Sequence, residues 1–314
     1  MEPILYFLLS LLLLMYGANL LVVATENFSI KHNISGFFAS FLFIGIATSS
    51  PEIFISIFSG LSNESEIAVG NAIGSNIANI ALVFAIALIM TSGNFLLNIT
   101  RDKSLNRYLL ILVSLSIFVV FATYNGKFNQ IESLFFLTLF IGIVYILKNS
   151  KKNIRSTDED FNKKRKIEYI YFWMILGLIL LLVGTELFLY SSIIIAKFIG
   201  ISEYVIGLSL AAIGTSLPEL AASIQSIRKN HFDYVVGNIL GSNIFNASLV
   251  IGLSSIIHPA VIESESIYMD LILLCITTFV FYAIITTNII KYSKIIGLGL
   301  LALFSVYQIS LYGA

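Results

Sequence analysis

An all-α polytopic membrane protein of ten transmembrane helices, built as two inverted five-helix repeats, follows from composition, run length and internal repetition. Hydrophobic residues make up 58% of the 314 residues and charged residues only 11%, less than half the charge of a typical soluble domain. The apolar residues gather into runs of about the 20 residues that one span needs. The chain also matches itself at a shift of 167 residues. The surface of a soluble fold this size could not be covered, which excludes a cytosolic enzyme or a free nucleic-acid-binding module.

The runs fall at about 4–24, 34–61, 67–92, 107–124, 129–147, 169–195, 203–227, 234–258, 267–287 and 295–312. Helices are expected because only helices and closed barrels satisfy the backbone in lipid. The runs are too long and continuous for barrel strands. The first follows Glu2 rather than a basic segment and is span-length, so it reads as a helix and not a signal peptide. The second, third, seventh and eighth carry repeated polar motifs. The fourth, fifth, ninth and tenth complete the count. Residues 148–168 are polar and mixed in charge, a solvated linker too short to be a domain.

Net charge is zero, so orientation rests on placement. Lys31, Arg101, Lys103, Arg107, eight bases between Lys148 and Lys166, Arg228, Lys229, Lys291 and Lys294 fall in one set of loops. The opposite set holds only Lys127 and Lys197. This 16-to-2 split places the first set, including the 148–168 loop, in the cytoplasm and both termini outside. A multi-pass protein of the cell (inner) membrane is expected.

Asn33 to Asn79 aligns with Gly200 to Asn246 without a gap, with 19 identities in 47 positions, and Gly17 falls on Gly184. Most identities are polar, Gly or Pro, so shared apolar composition does not explain them. Residues 1–147 and 169–314 thus read as five-span repeats. Five is odd, so the second crosses in the opposite sense. Secondary transporters of this architecture hold their sites at the repeat interface near the midplane.

The second span reads Gly45-Ile46-Ala47-Thr48-Ser49-Ser50-Pro51-Glu52 and the seventh Ala212-Ile213-Gly214-Thr215-Ser216-Leu217-Pro218-Glu219. In a continuous helix Thr48, Ser49 and Glu52 share one face, as do Thr215, Ser216 and Glu219. A carboxylate at this depth costs several kcal/mol and marks a functional site by default. Pro51 and Pro218 leave the carbonyls of Ala47 and Gly214 without helical partners. The third and eighth spans place Asn71, Ser75 and Asn79, and Asn238, Ser242 and Asn246, on single faces. Gly70 with Gly74, and Gly237 with Gly241, suit close helix approach. Two carboxylates among many neutral oxygens suit a hard cation such as Ca2+. The same oxygens suit Na+, of similar radius, while the lack of a Cys/His cluster disfavours zinc and copper.

At these residues the chain resembles the sodium/calcium exchanger family, within the cation/calcium antiporters, whose repeats read G-T-S-x-P-E and G-N-x-x-G-S-N-x-x-N/D. The resemblance covers both repeats and the ten-span plan. It implies that Glu52 and Glu219 are central carboxylates shared by Ca2+ and Na+. It implies hydroxyl and carbonyl ligands at Thr48, Ser49, Thr215 and Ser216, and sodium-binding carbonyls at Gly45 and Ala212. Ser75, Asn79, Ser242 and Asn246 match ligands from the flanking helices. It also implies that the spans at 4–24 and 169–195 slide across the core to switch access. Two positions depart from the pattern. Ala47 replaces the usual Gly, which points to altered affinity rather than lost transport. Asn246 stands where many prokaryotic and potassium-dependent members carry Asp, which argues against potassium co-transport.

The expected function is therefore alternating-access exchange of Na+ for Ca2+, an electrogenic calcium extrusion, with no enzyme activity and no cofactor. The expected partners are the two ions and the bilayer, with no nucleic acid; a monomer is one option, and the oligomeric state stays open. Coupling to H+ or K+ stays open, and a cation channel is the more distant alternative. Outside the motifs, Cys275 reads as a buried thiol, and His231 and Asp233 as residues of the membrane interface. Glu64 and Glu66 read as a solvated outer loop. Glu186 reads either as lying near an ion entry path or as paired with a neighbouring residue.

Overall fold

The computed structural model describes residues 2–91, 103–123, 126–149, 169–199, 213–262, 267–287 and 292–313. The apolar runs fold as helices. The first span is α1 (Glu2–His32), and the second is a pair, α2 (Gly36–Thr48) and α3 (Ser50–Leu61), bent by 45° at Ser49. Then come α4 (Ser65–Met90), α5 (Lys103–Thr123) and α6 (Gln130–Asn149). The second half holds α7 (Ile170–Phe198), α8 (Leu217–Arg228), α9 (Phe232–Ile257), α10 (Ile267–Thr286) and α11 (Ser293–Gly313). Every expected run thus contains a described helix. The first part of the seventh run and residues 150–168 of the linker lie outside the described residues.

The sequence places the end of the first span at about residue 24, because Glu26, Asn27 and Lys31 interrupt the apolar run. The helix continues to His32. Glu26 and Ser29 are buried against the rest of the fold, so their polarity does not end it.

Contacts between loops show which of them share a side. Strand β1 (Lys127–Phe128), after α5, pairs antiparallel with β2 (Ala260–Val261), after α9. Gln130 Nε2 donates to the Ile256 carbonyl at 3.2 Å. At the other end, His231 before α9 meets Glu26 near the end of α1 at 3.2 Å. Lys31 Nζ sits 5.9 Å from the centre of the Tyr171 ring at the start of α7. This alternation is what ten crossings require.

Helices α4 and α9 form the centre. Most of their spanning residues are buried, 78% and 83%, against 22–44% in α1, α5, α7, α10 and α11, which lie around them. Phe41 packs edge-on to Phe245 at 5.6 Å, and Phe84 on Phe281 at 4.7 Å, all fully buried. On the flank α1 and α7 cross at Gly17 and Gly177. A Cβ on either glycine would meet the other's carbonyl oxygen at 2.9 Å, so only glycine permits this approach.

The internal repeat is visible in the backbone. Asn63 and Asn230, 167 residues apart, both adopt φ 62°, a left-handed conformation that Asn tolerates. They end α3 and α8 with matching turns: Glu64 N–H donates to Ser59 at 2.8 Å, and His231 N–H to Ser226 at 2.9 Å. Asn79 and Asn246 each open a π-helical turn, at Asn79–Phe84 and Asn246–Val250. Such turns are frequent at functional sites.

Candidate functional site

The site forms where both motif helices break. Ser49 has φ −82° and ψ 9°, and Ser216 has φ −85° and ψ 0°. Pro51 and Pro218 fall in the first turn of α3 and α8, where a missing N–H costs no helical bond. Glu52 and Glu219 occupy the same first turns, near the positive end of each helix dipole. Both carboxylates are completely buried.

The breaks change which residues meet. The sequence placed Thr48 and Ser49 on the face of Glu52, as a continuous helix would. Instead Ser49 Oγ donates to Oε1 of Glu219, from the other repeat, at 3.3 Å. Thr48 and Ser242 lie beside Glu219 as well, and Ser75 lies beside Glu52. The 45° bend carries the hydroxyls of α2 away from the carboxylate of α3 and across the interface.

Paired contacts follow the repeat. Thr48 and Ser242 hydroxyls lie 3.2 Å apart, and their counterparts Thr215 and Ser75 also 3.2 Å. Thr48 Oγ1 donates to Asn238 Oδ1 at 3.1 Å, and Thr215 Oγ1 to Asn71 Oδ1 at 3.4 Å. The Gly45 carbonyl accepts the Ser49 N–H at 3.1 Å, with the Thr48 and Ser242 hydroxyls each at 3.4 Å. Asn79 Nδ2 donates to Asn243 Oδ1 at 3.0 Å. Ala212, the equivalent of Gly45, lies outside the described residues.

Several buried polar atoms of this cluster have no hydrogen-bond partner among the described residues. They include both carboxylate oxygens of Glu52, Oε2 of Glu219, the Ser216 hydroxyl, Asn79 Oδ1 and both amide atoms of Asn246. Buried polar groups are normally paired. Here most of the orphans are oxygens, and three of them belong to the two buried carboxylates. Bound hard cations would satisfy such a set.

Eleven of the twelve residues singled out in the sequence fall within the described structure. Asn76 and Asn243 were missed, although both are buried and bond across the repeat interface. Their signal was present as an identity at the 167-residue shift, but they fall off the Asn71–Ser75–Asn79 face. Asn71 and Asn238, read as face residues only, hold the motif threonines. His231 is not simply an interface residue, since it contacts the buried Glu26. Cys275 is half-buried rather than buried.

Two opposed sets of helices, broken over paired carboxylates in the middle of a membrane protein, define a transporter rather than an enzyme. The chain belongs to the sodium/calcium exchanger family: the model for sodium/calcium exchanger proteins matches residues 2–148 and 169–313. It is 33% identical over 312 residues to the membrane protein MJ0091 of Methanocaldococcus jannaschii, covering 98% of this chain and 97% of the relative. It is 28% identical over 283 residues to the inner membrane protein YrbG of Escherichia coli, covering 87% and 86%. The solved structure of the sodium-calcium exchanger NCX_Mj, soaked with 2.5 mM Na+ and 0.1 mM Ca2+, superposes with a TM-score of 0.80. That match has 32% identity and covers 98% of this chain and 97% of the other. The fold is thus that of NCX_Mj, ten spans in inverted repeats.

Proposed function

We propose that the protein exchanges Na+ for Ca2+ by alternating access, with Ca2+ extrusion as its electrogenic working direction. The observation that carries this reading is the pair Glu52 and Glu219, fully buried with three of their four carboxylate oxygens unpartnered among the described residues. Two such charges are costly when empty and are neutralised by one divalent ion or by two monovalent ions. Glu52 and Glu219 serve both ions in this reading. Thr48, Ser49, Thr215, Ser216, Ser75, Asn79, Ser242 and Asn246 add neutral oxygens, and Gly45 and Ala212 add carbonyls. Exchange of more than two Na+ for one Ca2+ then moves net charge. Asn246 adds no carboxylate, which favours Na+ over K+ as the counter-ion.

Residues 1–147 and 169–314 are the two repeats, each supplying one carboxylate. The charge split puts both termini outside and residues 148–168 in the cytoplasm of a cell whose inner membrane the protein spans. The resemblance to the inner membrane protein YrbG supports that location.

The test is radioactive Ca2+ uptake into proteoliposomes loaded with Na+, against loads of K+, choline or an acid interior. Uptake only with internal Na+, stimulated by an inside-positive potential, supports the proposal. Equal uptake with a proton gradient would move the coupling to H+. Uptake with no counter-ion would mean a channel.

A further inference from the structure

Three polar contacts hold α1 to the core between its middle and the end that meets the start of α7. Gln225 Nε2, on α8, donates to the Met15 carbonyl at 3.1 Å. His231 Nε2 lies 3.2 Å from Glu26 Oε1, and the Ser29 and Tyr234 hydroxyls lie 3.3 Å apart. A helical carbonyl keeps a second lone pair, so the Gln225 bond asks no distortion of α1. From Met15 to Ser29 is about 21 Å of helix, and a shift of α1 along α8 by one turn, about 5.4 Å, breaks all three contacts.

The other repeat lacks these groups at the positions 167 residues away. Gln225 corresponds to Phe58, His231 to Glu64 and Tyr234 to Ile67. On α7, Glu26 corresponds to Ile193 and Ser29 to Ala196. Packing differs in the same sense. Ala221 and Ala222 of α8 are buried with Leu14, Ala18 and Leu21 of α1. Helix α7 has no comparable packing on α3 among the described residues. Gln225 is accordingly 8% exposed and Phe58 64%. One broken helix is covered by its flanking helix and the other is not. These polar contacts exist only where the cover is in place.

We propose that Gln225, supported by the Glu26–His231 and Ser29–Tyr234 contacts, is a positioning residue of the exchange cycle. It holds α1 over α8, and its release from the Met15 carbonyl opens the ion site on the side of the 148–168 loop. This rests on alternating access as proposed above. A bond made in one state only shifts the balance of states by its own worth. In the opposite state α7 covers α3, where Phe58 offers a ring and no donor. Closure there is held by apolar packing rather than by matching polar contacts.

The test is labelling of single cysteines by a membrane-impermeant thiol reagent, in oriented vesicles of the full-length protein carrying Cys275→Ala. Ala221→Cys reports on the covered face of α8 and Phe58→Cys on the uncovered face of α3. Gln225→Met keeps the size of the side chain and removes its donor. It should raise labelling of Ala221→Cys from the 148–168 side by about 2- to 10-fold, the worth of one hydrogen bond, and should not raise labelling of Phe58→Cys from the other side. His231→Phe keeps a ring beside Tyr234, now 5.0 Å away, and should act in the same direction. Unchanged labelling of Ala221→Cys in both variants, with its response to Na+ and Ca2+ intact in the parent, would overturn the role of Gln225 alone. Labelling that no ion condition changes in the parent would overturn alternating access and this role with it. A rise at both cysteines would mean a loosened fold and would also overturn the proposal.

Discussion

Asn76 and Asn243 donate to each other's backbone: Nδ2 of Asn76 to the Asn243 carbonyl at 3.1 Å, and Nδ2 of Asn243 to the Asn76 carbonyl at 3.2 Å. They are 167 residues apart, so the two bonds exchange under the internal repeat. They clamp α4 to α9 beside the proposed ion site, with both side chains at most 2% exposed. The symmetry of this clamp is broken where Asn79 donates to Asn243 Oδ1 and nothing equivalent reaches Asn76 Oδ1 among the described residues.

That clamp predicts a graded cost. Asn76→Ala and Asn243→Ala should each destabilise the protein by about 1–3 kcal/mol, the range for leaving a buried partner unpaired. Asn243→Ala should cost more, because it also strands Asn79. Each amide donates to a backbone carbonyl that Ala retains, so each single variant loses only the bonds of its own side chain. Thermal melts in detergent would measure this, and equal losses in the two variants would show that the Asn79 bond adds nothing to the clamp.

Removing a central carboxylate should separate folding from ion binding. Glu52→Gln and Glu219→Gln should each abolish Ca2+ transport. In buffer without Ca2+ or Na+ both should melt no lower than wild type, because a buried uncompensated charge has been removed. Wild type should gain about 2.7 kcal/mol when Ca2+ reaches 100 times its dissociation constant, and the variants should lose most of that gain. Near-normal exchange in either variant would remove these residues from the centre of the site.

Asn246 tests the charge of the site. Its side chain is fully buried with both amide atoms unpartnered among the described residues. Asn246→Asp should add a third negative group, shifting the ratio of Ca2+ to Na+ affinity and making exchange more sensitive to acid. Isotope uptake across a pH series would show it. An unchanged affinity ratio and pH profile would place Asn246 outside the ligand set.

The sequence made the spans and the repeat legible for physical reasons. Apolar run length is dictated by the bilayer, and a gapless repeat brings Glu52 and Glu219 into equivalent places. It did not reveal which side chains meet. Helical periodicity assigns Thr48 and Ser49 to Glu52 only if the helix is continuous, and the break at Ser49 invalidates that step. Likewise Glu26 looked like a span end, because its contact with His231 joins residues 205 positions apart, outside any local pattern.

The glycines give the sharpest contrast between equivalent positions. The motifs repeat Gly70 as Gly237, and both suited close helix approach in the sequence. In the structure a Cβ at Gly237 would meet the Phe37 carbonyl oxygen at 2.6 Å, while one at Gly70 meets nothing within 4 Å. The difference lies in what each faces, since Gly237 is packed against α2 and Gly70 is exposed. Gly237→Ala should therefore force backbone apart and destabilise by about 1–3 kcal/mol or more, as overpacking does. Gly70→Ala should be neutral or stabilising by up to about 1 kcal/mol, since Ala is the better helix former. Melting curves of the two variants decide it. Equal behaviour would mean that α2 and α9 yield at this crossing and that the close approach is not fixed by the glycine.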